Sequence, residues 1–331
     1  MALIGYHASH EQHPPSRLLH DAVAAEAAGF QGVSSSDHFS PWSERQGESG
    51  FAWSWLGAAL QATMVPFGVV NAPGQRYHPA VIAQALATLA EMFPGRIWAA
   101  LGTGEASNEH ITGERWPDKT ARQARLVECV HVIRSLLQGH EVSADVHVRV
   151  DRARLWTLPA TMPRLVGAAL TEDTARWCGG WADGLITVHQ PPEKLRRMFD
   201  AFRSGGGEGK QLIVQVKVAW APDDDQALAA TYDQWRTNVF ESALMADVET
   251  VEGFEVAARH VRPEDMHGSV LVSSDPGRHA ALLHELVDLG VDELYVHQVP
   301  KAQDGFLDVY ADKVLPELQG DLGTRDEAVD R

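Results

Sequence analysis

Short apolar runs rich in β-branched residues alternate along the chain with longer segments whose apolar positions recur at helical spacing. Such alternation signals βαβ units feeding a parallel sheet. The pattern predicts a first strand over Leu3–Ala8. A helix follows from about Ser16 to Gly29, apolar at Leu18, Leu19, Ala22, Val23 and Ala25 and closed by its glycine. Strands are predicted at 32–36, 67–71 and 96–102, with a loop over 37–54. Helices are predicted at 79–92, with proline in the first turn, and at 118–137. Residues 139–163 read as an excursion, a small hairpin around His147-Val148-Arg149. The alternation resumes with strands at 164–169, 184–188 and 212–220 and helices at 172–179 and 193–203. A long helical stretch from Asp224 to His260 belongs to an insertion of about 224–270 beside the other units. A helix at 276–289, a strand at 293–299 and a helix at 306–318 complete the pattern. Residues 320–331 form an acidic tail predicted to be disordered.

Eight strand–helix units in 331 residues predict an α/β fold, a (β/α)8 TIM barrel made as one domain over 1–319 with two insertions. The rival is a doubly wound sheet, which usually shows a Gly-x-Gly-x-x-Gly turn after its first strand. Here His7-Ala8-Ser9-His10 follows, without a glycine. The formal net charge of −17 excludes a nucleic-acid partner, since phosphate binding needs a basic face. Two cysteines, Cys129 and Cys178, lie inside apolar helical patterns and read as buried reduced thiols, not as a disulfide or metal pair. No apolar run has the length of a membrane span, and the first strand starts at once, so a cytoplasmic location and no membrane partner are expected.

In a barrel of this kind the active site forms where the strands end at their carboxyl face. The residues that follow the predicted strands are His7 and His10, Asp37-His38, the stretch from Asn71 to Arg76, Gly102-Thr103-Gly104-Glu105 with Asn108, Glu109 and His110, Trp220, and His297-Gln298. Asp37-His38-Phe39-Ser40-Pro41-Trp42 sets a carboxylate, an imidazole and an indole on one loop. Histidine exchanges protons near neutral pH, a nearby acid sets its charge or tautomer, and an indole walls a flat ligand. The bland alternative is a loop in which Asp37 caps backbone amides and His38 packs. Gly102 and Gly104 would let a planar group approach the backbone, with Glu105 facing it as a general acid; the same pattern also serves as an ordinary turn into a helix. A metal-dependent hydrolase built on His7, Asp37, His38 and His297 lacks a His-x-His pair at a strand end, and no metal is expected. Phe51, Trp53 and Trp55 read as packing residues beneath the rim.

At these residues the chain resembles the luciferase-like flavin and deazaflavin oxidoreductases, in particular their branch of deazaflavin-dependent glucose-6-phosphate dehydrogenases. The resemblance rests on Ser36-Asp37-His38-Phe39 with Pro41-Trp42, on the stretch from Arg76 to Gln84, on the stretch from Gly102 to Glu109, and on Ala182-Asp183-Gly184, in family order over nearly the whole chain. It implies that His38, Trp42 and Glu105 are catalytic: His38 poises the proton, Trp42 shields the reacting carbon, and Glu105 is the acid. It implies that Asp37 hydrogen-bonds the coenzyme ring and that Thr103, Gly104 and Asn108 line the coenzyme pocket. A bulge with a non-proline cis peptide is implied near Val69-Val70-Asn71, placing Val70 and Asn71 against the coenzyme. A homodimer is also implied.

Two departures modify that picture. The family's phosphate-binding lysine and arginine are replaced by His189-Gln190-Pro191-Pro192 and Met266-His267-Gly268-Ser269, which argues against glucose-6-phosphate as substrate. Where the deazaflavin enzymes use glycines to cradle a phosphate, this chain has Ala168-Ala169-Leu170-Thr171-Glu172-Asp173, with Ala169 at the coenzyme and two acids at a helix start. FMN is therefore favoured over coenzyme F420. The expected activity is hydride transfer to or from a small organic substrate. An FMN-dependent monooxygenase, an F420-dependent dehydrogenase and a catalytically idle coenzyme-binding protein are the alternatives.

Overall fold

A computed structural model describes residues 2–318; the predicted acidic tail lies outside the described residues. Strands β1 (Leu3–Ala8), β2 (Val33–Ser36), β3 (Phe67–Asn71) and β4 (Ile97–Leu101) run parallel to one another and continue to β7 (Leu165–Ala168) and β8 (Gly184–Val188). Strand β8 pairs with β9 (Gln211–Ala219), β9 with β11 (Glu293–Gln298), and β11 with β1, so the sheet closes into an eight-stranded barrel. Helices between the strands cover it, and their apolar faces supply the main core. Among the described residues no helix is long and apolar enough to cross a membrane.

The barrel interior is filled by side chains. Trp98, Tyr295, Ile213, Val166 and Ile186 meet across it, with the Trp98 and Tyr295 rings 5.7 Å apart. Room for these rings comes from Gly68 and Gly5: a Cβ at Gly68 would stand 2.0 Å from the Trp98 ring, and one at Gly5 would stand 2.5 Å from Tyr295. At the amino-terminal end Tyr295 donates to Glu293 at 2.8 Å, and Arg164 pairs with Glu293 at 2.9 Å. With the floor closed, ligand space is left only at the carboxyl end.

The stretch over 139–163 forms an antiparallel hairpin of β5 (Val142–Asp145) and β6 (Arg149–Ala153), centred where the sequence places it. The helical stretch after β9 is not continuous. It breaks into Asp224–Trp235, Ser242–Asp247 and Val251–Ala257; Asp223 caps the first and Thr250 the last through their side chains. These helices build a smaller core of Trp235, Met266, Val270, Val272 and Val299, joined by a two-residue strand β10 (Leu271–Val272) on the end of β9. Cys129 and Cys178 are free and buried, and burial pushes each thiol up to about 12. Contrary to the expectation at Val69-Val70-Asn71, no peptide bond among the described residues is cis, and β3 continues through Asn71 in register with β4.

Candidate active site

The loop after β2 carries His38 to the centre of the barrel mouth. Its Nδ1 lies 3.2 Å from Glu11 Oε1 and its Nε2 3.8 Å from Glu105 Oε2, so one imidazole stands between two carboxylates. The His38–Glu11 contact is within ion-pair distance, though its angle falls short of a hydrogen bond. Trp42 packs edge-on against the imidazole, ring centroids 5.1 Å apart, and is itself backed by Phe254 from the helix Val251–Ala257 at 5.1 Å. The insertion after β9 thus supplies the outer wall of the site.

Glu11, which the sequence reading passed over, is buried, and burial works to raise its pKa. The His38 imidazole and hydrogen bonds from Ser9 (2.7 Å) and Ser36 (2.8 Å) outweigh that and hold it below the usual carboxylate range. Glu105 has the opposite balance. Burial, with Glu11 and Glu109 adding like charge, pushes it up to about 7 against the opposing pull of His38 and Arg76, although 29% of its side chain is open to solvent. Two carboxylates on one histidine therefore differ in protonation at neutral pH, an arrangement suited to one fixed anion and one proton carrier. The signal for Glu11 was the His7-Ala8-Ser9-His10 segment, read one residue short.

Asp37 is buried and lies behind the imidazole. Its carboxylate accepts from Asn71 Nδ2 at 2.7 Å and from the Tyr77 hydroxyl at 3.1 Å, with Arg76 Nη2 at 3.7 Å. Arg76 also donates to the Asp37 carbonyl at 2.7 Å, its backbone amide donates to Glu109 at 2.6 Å, and its Nε stands 3.6 Å from that carboxylate. A buried guanidinium thus ties two buried acids and fixes where His38 begins. Burial still raises the pKa of both Asp37 and Glu109. The two stretches that hold Arg76 and Tyr77 on the one hand and Glu109 on the other were visible in sequence; that they form this brace was not.

Asn108 turns toward the same loop. Its Oδ1 accepts from the amides of Phe39 (2.8 Å) and Ser40 (3.2 Å), and its Nδ2 donates to Glu105 at 3.3 Å. One amide side chain therefore positions both the His38 loop and the acid. The ends of β3, β4 and β7 form a shelf of small groups beside this cluster: Val70 and Asn71, then Gly102, Thr103 and Gly104, then Ala168 and Ala169. Gly104 adopts a φ of 82°, which favours glycine. Asn71 Oδ1 is buried on this side and has no hydrogen-bond partner, leaving an acceptor for a ligand N–H. At the start of the helix Glu172–Gly179, Thr171 caps its own helix, and Glu172 is paired with Arg197 at 2.7 Å.

His7 and His10 are neutral packing groups. His7 contacts Ser34 at 2.8 Å and His297 at a centroid distance of 4.9 Å, and burial draws it down to about 3. His10 packs on Trp55 and is drawn by burial to about 4. Trp53 and Trp55 are buried in the helix Ala52–Ala62, while Phe51 is 54% exposed. Among the described residues the one grouping of metal-ligand type, His20, Asp21 and Asp304, includes none of His7, Asp37, His38 and His297.

The architecture and the chain agree with known proteins. The profile of the luciferase-like monooxygenase family matches residues 2–293. The chain is 36% identical to the F420-dependent glucose-6-phosphate dehydrogenase of Nakamurella multipartita, covering 96% of this chain and 97% of that one. It is 33% identical to the F420-dependent hydroxymycolic acid dehydrogenase of Mycobacterium tuberculosis, covering 96% of this chain and 88% of that protein. Its fold superposes with a TM-score of 0.88 on an F420-dependent secondary alcohol dehydrogenase solved with an F420–acetone adduct, at 29% identity over 95% of this chain and 98% of that one. A barrel closed in this way, with a histidine between two carboxylates at its mouth, belongs to a chain that is a member of the luciferase-like family of oxidoreductases.

Proposed function

We propose that the protein is a coenzyme F420-dependent dehydrogenase that oxidises a small, unphosphorylated alcohol or reduces the matching carbonyl. The observation that carries this reading is the placement of His38 between Glu11 and Glu105, beside the strand ends that carry Asn71, Gly102 and Gly104. The ring end of such a coenzyme fits the residues present: Asn71 offers an unused acceptor, and Gly102 and Gly104 let the backbone come close. When bound, the coenzyme supplies the carbon that accepts or returns the hydride.

The protein's own part is proton handling and orientation. His38 Nε2 takes the hydroxyl proton of an alcohol, and the resulting imidazolium is stabilised by the ionised Glu11 against Nδ1. Glu105 Oε2 holds or releases a proton near neutral pH, on the opposite side of the imidazole. Trp42 and Phe254 keep bulk water from that edge. Asn108 and the Arg76 brace keep the acid and the histidine at their separations.

The choice between coenzymes turns on the start of the helix Glu172–Gly179. Its acids favoured FMN at the level of sequence, yet FMN carries a phosphate too, and Arg197 neutralises Glu172. Near-full-length similarity to proteins named as F420-dependent supports the deazaflavin. A second reading, an FMN-dependent monooxygenase, is favoured by the absence of the glycine cradle at Ala168-Ala169-Leu170-Thr171. Titration of the purified protein with each coenzyme separately, followed by fluorescence, tests the proposal. Tighter binding of coenzyme F420 and its reduction by an alcohol are expected; tight FMN binding with weak F420 binding would overturn it.

A further inference from the structure

One charge in the barrel mouth is not used by the chemistry above. Lys217 lies on β9, paired in register with His297 on β11. Its ammonium stands 5.6 Å from the centroid of the Trp235 ring, and among the described residues it has no hydrogen bond or ion pair. The groups that feel its charge are imidazoles: His7 on β1, His297 on β11 and His189 beyond β8. Burial is the first cause that keeps each of them neutral, and Lys217 adds to it. Among the described residues no carboxylate offsets the ammonium, in a chain whose net charge is −17. His7 also feels Glu11 and His38, so the lysine and the proton-handling groups share one mouth.

His297 adds a second feature. Gln12 Nε2 donates to the Val299 carbonyl at 2.7 Å and to Gln234 Oε1 at 3.2 Å, which leaves Gln12 Oε1 as an acceptor. His297 Nε2 meets that oxygen at 2.7 Å and therefore carries the ring proton. Its Nδ1 is then a bare lone pair, buried and without a partner. A cationic donor and a neutral acceptor thus stand on adjacent strands, neither satisfied by any of the described residues.

We propose that Lys217 and His297 form a two-point recognition site for an alcohol that also bears a single carboxylate and a second hydroxyl, the carboxylate accepting from Lys217 Nζ and the second hydroxyl, not the one whose proton His38 takes, donating to His297 Nδ1. The proposal rests on the dehydrogenase reading, whose substrate class it names. One ammonium balances a monoanion, whereas a phosphate dianion would bring a second charge that the neutral imidazoles do not meet. Burial lowers Lys217 only to about 8, so it still carries its proton at neutral pH and meets an arriving carboxylate as an ammonium. A charge-assisted hydrogen bond in a partly buried site corresponds to at least about tenfold in binding.

The test is calorimetric binding to the full-length protein, with and without coenzyme F420, using 3,4-dihydroxybutanoate and its neutral amide as probes. The wild type is expected to bind the carboxylate at least tenfold more tightly than the amide. Lys217→Met and Lys217→Gln are expected to bind both probes alike, and Lys217→Arg to keep the preference. Equal binding of the two probes by the wild type, no measurable binding of the carboxylate, or a preference that survives in Lys217→Gln would each overturn the proposal. Should Lys217→Met fail to unfold cooperatively, Lys217→Gln and the wild-type ratio decide. Carboxylate preference without any coenzyme turnover would refute the dehydrogenase reading and leave this site standing; turnover of neutral alcohols without the preference would do the reverse.

Discussion

Replacing Glu105 by glutamine keeps its size and its contact with Asn108 but removes the proton. The acid is raised in the folded protein from 4.5 to about 7, chiefly by burial. At about 1.4 kcal/mol for each tenfold change in proton affinity, ionising it in place costs about 3 kcal/mol. With 29% of the side chain open to solvent, about 2 kcal/mol is the expected effect. The folded state binds this proton more tightly than the unfolded chain, so wild-type stability falls as pH rises from about 4.5 to about 7 and is level above that. Glu105→Gln has no such slope. Urea unfolding should therefore show the two proteins alike near pH 4.5 and the variant more stable by about 2 kcal/mol at pH 8.5. Turnover should fall by about 10²–10⁴-fold while coenzyme affinity changes little. Parallel stability curves at the two pH values, or wild-type turnover in the variant, would refute both the electrostatic account and the assignment of Glu105.

Three further outcomes follow from the geometry. His38→Ala should lower turnover by about 10²-fold or more and leave the coenzyme dissociation constant within a few-fold, measured by fluorescence titration. Arg76→Met leaves Asp37 and Glu109 as uncompensated buried acids, and urea unfolding at pH 7 should show a loss of about 3–5 kcal/mol. Cys129 and Cys178 should resist a thiol reagent in the native protein at pH 8 and both react once it is unfolded, since burial pushes their thiols up to about 12; rapid native labelling would contradict their placement.

Much of the barrel was legible in the chain because its units are local. Leu3–Ala8, Phe67–Asn71, Pro79–Met92, Glu172–Gly179 and Gly184–Val188 match the predicted elements residue for residue. Each is a run whose period and end signals, such as Pro79 in a first turn, report on neighbours a few residues away. The region after Asp224 was less legible: helical spacing persists across it, while the breaks depend on the cap at Thr250 and on a small core that only exists once β9 and β10 pair. A two-residue strand has no period to read.

His38, Trp42 and Glu105 were visible because glycine, proline and aromatic residues bunch at strand ends, but their relations were not. Glu11 and Glu105 lie far apart in the chain and become partners of one imidazole only because β1, β2 and β4 end at one rim. Nor does composition say which acid keeps its proton: burial and neighbouring charge set that, through hydrogen bonds from Ser9 and Ser36 on one carboxyl and like charge near the other. Lys217 and His297 show the same division. The chain put a lysine inside the predicted strand 212–220 and a histidine inside the predicted strand 293–299; only the closed barrel set them side by side, because parallel register couples positions that sequence distance separates.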